Sequence, residues 1–108
     1  MHVVGQEEAS RMSVLGSWLR ATIEADKAVA LATEQDPRDT IARCDAALAV
    51  LDEHGIVQVT GIGKDTRVMQ IPACKTCGTK HGVPCRTLRL LARGYRHREG
   101  YDDEWSPE

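Results

Sequence analysis

Apolar residues recur along the chain with two different periods, and the change of period divides it. From Ser13 onward, Leu15, Trp18, Leu19, Ile23, Val29 and Leu31 follow mostly helical spacing, which predicts a helix over about residues 10–33. Asp36-Pro37-Arg38-Asp39 then reads as a fresh helix start. Asp36 suits the N-cap, Pro37 the first helical position, and Asp39 places a negative charge in the first turn. Ile41, Cys44, Leu48 and Leu51 share one face, and Gly55 is a natural stop, so a second helix is expected over about 37–54. Two helices joined this closely form an antiparallel hairpin. The segments 56–60 and 66–71 are rich in β-formers and flank Gly61-Ile62-Gly63-Lys64-Asp65, the pattern of a β-hairpin whose second strand ends at Pro72. Pro84 and Cys85 open a third helix, expected to reach about Tyr95. The predicted fold class is α+β and mostly helical: an N-terminal antiparallel helical hairpin, a short β-hairpin, a cysteine knuckle and a C-terminal helix. The domain reading is a flexible extension over 1–11, one metal-stabilised domain over 12–98 and an acidic, aromatic tail over 99–108. Met12 is an alternative start.

Composition sharpens this picture. The chain has 108 residues, no Phe, two Trp and two Tyr, so its core must be built from Leu, Ile, Val and Ala. A thin core in a short chain calls for a staple, and a metal is one of the usual kinds. No apolar run approaches the roughly 20 residues of a membrane span, and the N-terminus lacks a secretory pattern. The expected location is the cytoplasm, with no membrane partner.

The net charge of −2 conceals a polarity. Residues 1–53 carry a net −5, residues 54–98 a net +8, and residues 99–108 a net −5. A basic middle lies between two acidic ends.

The candidate chemistry lies in the basic part. Of the four cysteines, Cys74, Cys77 and Cys85 fall within twelve residues and Cys44 stands apart. A Cys-x-x-Cys turn lets two thiolates reach one ion from a tight knuckle. A later Cys at a helix start supplies a third ligand where the helix end favours its negative charge. Gly78 follows the second Cys, where the backbone must turn tightly. Redox Cys-x-x-Cys motifs sit on a βαβ pattern that this chain lacks, and reduced free thiols are the plain alternative. The expectation is one structural zinc ion. The fourth ligand is open. His81 gives Cys-x2-Cys-x3-His-x3-Cys, close to a nucleic-acid zinc knuckle but with its last two loops each one residue short. His54, at the end of the second helix, would be returned to the knuckle by the β-hairpin. The plain alternative for either histidine is a solvated or hydrogen-bonded side chain, the commoner fate of a lone His.

The stretch from Ser13 to Leu31, Asp36-Pro37…Ile41-Ala42-Arg43-Cys44…Val50-Leu51-Asp52-Glu53-His54, Cys74-x-x-Cys77, Pro84-Cys85-Arg86-Thr87-Leu88-Arg89-Leu90-Leu91-Ala92, Tyr95 and Tyr101-Asp102-Asp103-Glu104-Trp105 resembles the domain-of-unknown-function family 6221 of actinobacteria and their phages. The Pro-Cys-x-Thr-Leu-Arg-x-Leu-Ala stretch and the Tyr…Glu-Trp tail are its most specific parts. The resemblance favours His54 as the fourth ligand, because family members place a His at the end of the second helix ahead of the Cys pair. This chain departs from longer members by lacking a strand-rich segment between the first two helices. It also has Arg98 where the family usually has a histidine, with His97 one residue early. The resemblance implies no activity.

No catalytic function is expected. Three thiolates and an imidazole make a closed site and a weak Lewis acid, and no His-Glu-x-x-His or serine-nucleophile motif is present. Gly61-x-Gly63-Lys64 lacks the spacing of a phosphate loop and reads as a hairpin turn. Cys44, on an apolar helix face, reads as core. No small-molecule substrate is expected. Two binding readings remain. The first is a protein-interaction or regulatory module that uses the acidic helical hairpin and the Tyr101–Trp105 tail, unless those aromatics fold back as packing. The second is nucleic-acid binding by Arg86, Arg89, Arg93 and Arg96, which fall at i, i+3, i+7 and i+10 on the third helix. A solvated helix face, or one covered by the acidic tail, is the plain alternative. Stacking aromatics, which single-strand binders use, are absent between Val57 and Arg93. The protein-partner reading therefore ranks first.

Overall fold

A computed structural model of the chain describes residues 14–63, 66–80 and 82–107. The expected flexible extension over 1–11 and the start of the first helix lie outside them. In order come helix α1 (Val14–Thr33), helix α2 (Arg38–Glu53), strand β1 (Ile56–Ile62), strand β2 (Val68–Cys74), helix α3 (Arg86–Arg93) and a 3-10 turn at Asp103–Trp105. The class is α+β, as predicted. Among the described residues no helix is long and apolar enough to cross a membrane.

Helices α1 and α2 pack as a hairpin, and α3 lies against both. Leu15, Leu19 and Ile23 form the buried stripe of α1, and Cys44 and Leu51 that of α2. Leu88 and Ala92 from α3 join the same cluster, with Cys74 and Cys85. Cys74 and Cys85 thus form one wall of the only extended apolar cluster among the described residues. The stripe of α1 ends differently from its prediction. Ala30, seven residues beyond Ile23, faces inward, while Val29 and Leu31 are 59% and 63% exposed. Helical geometry puts 30 rather than 29 or 31 under the 23 position.

Helix α2 starts one residue later than expected. Pro37 is its N-cap and makes no side-chain capping bond. Asp36 nonetheless accepts the Arg38 N–H and pairs with the Arg38 guanidinium through both carboxylate oxygens. His54 is the C-cap. Gly55 is not left-handed; the chain leaves the helix directly into β1.

The β-hairpin also departs from its prediction at its ends. Gly61 and Ile62 belong to β1, and β2 runs through Pro72 to Cys74. Thr66, at φ 62, sits in a left-handed turn, with its N–H on the Gly63 carbonyl, while the Gly63 N–H donates to Arg67 O. These bonds close the hairpin between Gly63 and Arg67, beyond the loop expected over 61–65. Gly61 serves the strand and not the turn. A Cβ there would lie 2.2 Å from Cδ1 of Ile71, which fills the space. Pro72 does not end β2, because its missing N–H belongs to the edge that faces away from β1. Narrow pairs fall at Gly55/Lys75 and Gly63/Arg67, so even-numbered residues point their amides outward.

Helix α3 stops at Arg93. A chain of i→i+3 bonds then carries the backbone through Tyr95, Arg96 and Arg98. The tail folds back onto α1. The rings of Trp18, Tyr101 and Trp105 form a mutual cluster with centroids 5.3–5.8 Å apart. The Trp18 indole N–H donates to the Glu99 carbonyl at 3.0 Å. Arg98 grips Asp26 through two bonds of 2.8 Å and lies over the Tyr95 ring.

Candidate metal centre

The site begins with the hairpin register. His54 ends α2 and Cys74 ends β2; the ribbon between them doubles back so that Gly55 O accepts the Lys75 N–H at 2.7 Å. Two side chains twenty positions apart in the chain therefore touch. The knuckle is fixed by a bridge between Cys74 and Gly78, each donating its N–H to the other's carbonyl. Gly78 takes φ 71, a left-handed conformation that disfavours any side chain. The turn aims the Cys77 N–H at the Cys74 sulfur, 3.3 Å away. Cys85 enters as the N-cap of α3.

These elements bring together His54, Cys74, Cys77 and Cys85. The His54 Nδ1 lies 3.4 Å from Sγ of Cys74, 3.6 Å from that of Cys77 and 3.5 Å from that of Cys85. All four donor atoms lie within 4.8 Å of one another, and two of the four residues are fully buried. None of the cysteines forms a disulfide. Such a group can hold a metal ion. His81 lies outside the described residues.

The thiols perturb one another. Burial pushes the Cys74 thiol up, but the N–H groups of Cys77 and Thr76, with His54 and Cys85, outweigh it and bring it down to about 7. Burial and the neighbouring sulfurs push Cys77 up to about 11. Burial and the sulfurs already present oppose each further thiolate here, and a cation among them would relieve that repulsion. Cys44 lies apart in the core, its thiol raised by burial and by Asp26 and Asp45, as a structural cysteine should be.

Two residues that hold the site escaped the sequence reading. Thr76, inside the Cys-x-x-Cys turn, donates its hydroxyl to the Glu53 carbonyl at 2.6 Å and lies 3.0 Å from the Glu53 carboxylate. This ties the knuckle to the end of α2, one residue before His54. A hydroxyl at the second position between the cysteines was the available signal.

The arginine stripe is only partly realised. Arg86 and Arg93 are exposed on α3, but Arg89 is half-buried with its Nε on the Pro84 carbonyl, and Arg96 lies beyond the helix with its guanidinium on the Arg93 carbonyl. Among the described residues no ion pair engages any of the four, so no described carboxylate of the tail pairs with them. Tyr101 and Trp105 take the packing role instead of standing free.

A model of a family of unknown function, DUF6221, matches residues 31–107, and the chain belongs to that family. No curated protein and no solved structure matches the chain.

Proposed function

We propose that this member of the family is a small structural-zinc protein that acts as a protein-interaction or regulatory module. The observation that carries the zinc is the distance set around His54. Zinc bonds of about 2.3 Å to sulfur and about 2.0 Å to nitrogen, at tetrahedral angles, require S···N edges of about 3.5 Å. The three edges are 3.4, 3.5 and 3.6 Å. Four protein donors fill the tetrahedron and leave no position for a reacting water, so the ion holds structure and does no chemistry. Its ligands come from the end of α2, the end of β2, the knuckle and the start of α3, which makes the ion the joint between the helical hairpin and the rest.

The interaction surface is the α1–α2 hairpin. Val29 and Leu31 stand exposed in the last turn of α1, on the two flanks of the inward Ala30, and the exposed acids Glu34, Asp36 and Asp39 follow in the chain, a composition that suits an apolar, basic partner. The test is capture of partners from an extract of the source cells. A partner bound by the native chain should survive nuclease treatment and be lost with Val29→Glu/Leu31→Glu. Loss on nuclease treatment would favour the second reading, nucleic-acid binding, which rests on the exposure of Arg86 and Arg93 without an acidic partner among the described residues.

A further inference from the structure

The two strands make extensive contact only with each other, and their outer edges are unlike. On β2 the outward amides belong to Val68, Gln70, Pro72 and Cys74. Pro72 has no N–H, and the Cys74 N–H is taken by Gly78. That edge is closed to another strand. On β1 the outward groups belong to Ile56, Gln58, Thr60 and Ile62, and among the described residues no backbone hydrogen bond engages them outside the ribbon. Strand β1 carries no charge and no proline, two of the devices that proteins use to protect a free edge. A two-stranded ribbon is by itself marginal in water. Ile62 and Val68 are 74% and 65% exposed on the face that the outward residues share.

We infer that the free edge of β1 pairs with β1 of a second copy, giving a four-stranded antiparallel sheet in the order β2-β1-β1-β2. The register follows from the residues. A twofold axis at Val59 puts Ile56 opposite Ile62 of the second copy and Gln58 opposite its Thr60. Every outward amide then meets an outward carbonyl. The exposed Ile62 of each chain gains an isoleucine as its cross-strand neighbour. With no charge on the strand, bringing two copies together opposes no like charges. The occupant is self-complementary with the edge that it covers, and the proposal rests on the ribbon alone, not on the role of the ion.

The test is sedimentation of the zinc-loaded full chain across the micromolar range, with zinc content measured in parallel so that loss of metal is not read as loss of association. A dimer of twice 11.9 kDa is expected. Thr60→Pro removes an outward donor from each copy, as Pro72 does on the other edge, and should weaken dimerisation roughly thirtyfold or more. Gln58→Lys/Thr60→Lys, which leaves the backbone unaltered, should also give monomers by setting four ammonium groups around the axis. Val59→Cys reads the register. The two Val59 positions face each other as a non-hydrogen-bonded pair with Cα atoms about 4.5 Å apart, within disulfide reach. Oxidised glutathione should link that variant into covalent dimers. Val57→Cys should not link, since its two copies lie about 13 Å apart along the strands. A monomeric wild type would overturn the proposal. So would a dimer indifferent to both edge variants, or cross-linking through position 57 in preference to 59.

Discussion

His54 and Cys74 are twenty positions apart in the chain and 3.4 Å apart in space. Spacing alone identified the three cysteines, because their turn and helix start are local. It could not choose between His54 and His81, since the choice depends on a hairpin register that brings Gly55 beside Lys75. If His54 is the fourth ligand, His54→Ala should weaken zinc retention more than about 100-fold, beyond what the loss of a supporting partner costs. His81→Ala should leave it unchanged, and competition with a chromophoric chelator measures both. The reverse ranking would move the site to the knuckle. The thiols set the sign of the pH dependence. With Cys77 raised to about 11, its proton must be displaced by the metal at neutral pH, and below about 7 the Cys74 proton must go as well. Apparent affinity should therefore fall by at least about tenfold per pH unit below pH 8, and more steeply below pH 7. A flat profile between pH 6 and 8, in the same competition assay, would contradict three-thiolate ligation.

The tail is held at the element scale by two devices of unequal weight. The Arg98–Asp26 pair has good geometry, but Arg98 is 49% exposed and solvent screens the pair. Asp26→Asn should cost less than about 1 kcal/mol and do less harm at high salt. Gly100 matters more. It takes φ 93, and a Cβ would lie 2.6 Å from the Trp18 indole nitrogen, which already binds the Glu99 carbonyl. Gly100→Ala should cost about 1–3 kcal/mol and lower Tm by at least about 5 °C in thermal unfolding. An unchanged Tm would mean that the aromatic cluster contributes nothing to stability. The helices were legible in the sequence because their apolar faces and the Asp36-Pro37 start are local signals. The strand ends were not. Gly61 and Pro72 resemble punctuation, yet one admits the Ile71 side chain and the other faces an edge where no donor is needed. The docking of the tail was only half legible: its aromatics were visible, but their target, Trp18, lies more than 80 residues away.

At the scale of the whole molecule, Arg98 of the basic middle pairs with Asp26 of the acidic hairpin, while the exposed α3 arginines have no acidic partner among the described residues. The acidic hairpin should repel a polyanion. The full-length chain is therefore expected to bind DNA negligibly at about 0.15 M salt, and weakly at low salt in a manner abolished by Arg86→Glu/Arg93→Glu. Fluorescence anisotropy over a salt series checks this, and tight, sequence-selective binding would reverse the ranking of the two functional readings. Both readings presuppose the metal joint, because the hairpin, ribbon and third helix meet at four side chains. Its most direct test is the native mass of the purified full-length chain, taken together with its melting curve before and after chelation. The account predicts a mass greater than that of the chain by one zinc ion less the displaced protons, and a melting transition that falls or broadens when the ion is removed. A folded chain at its bare sequence mass, melting identically with and without chelator, would contradict it.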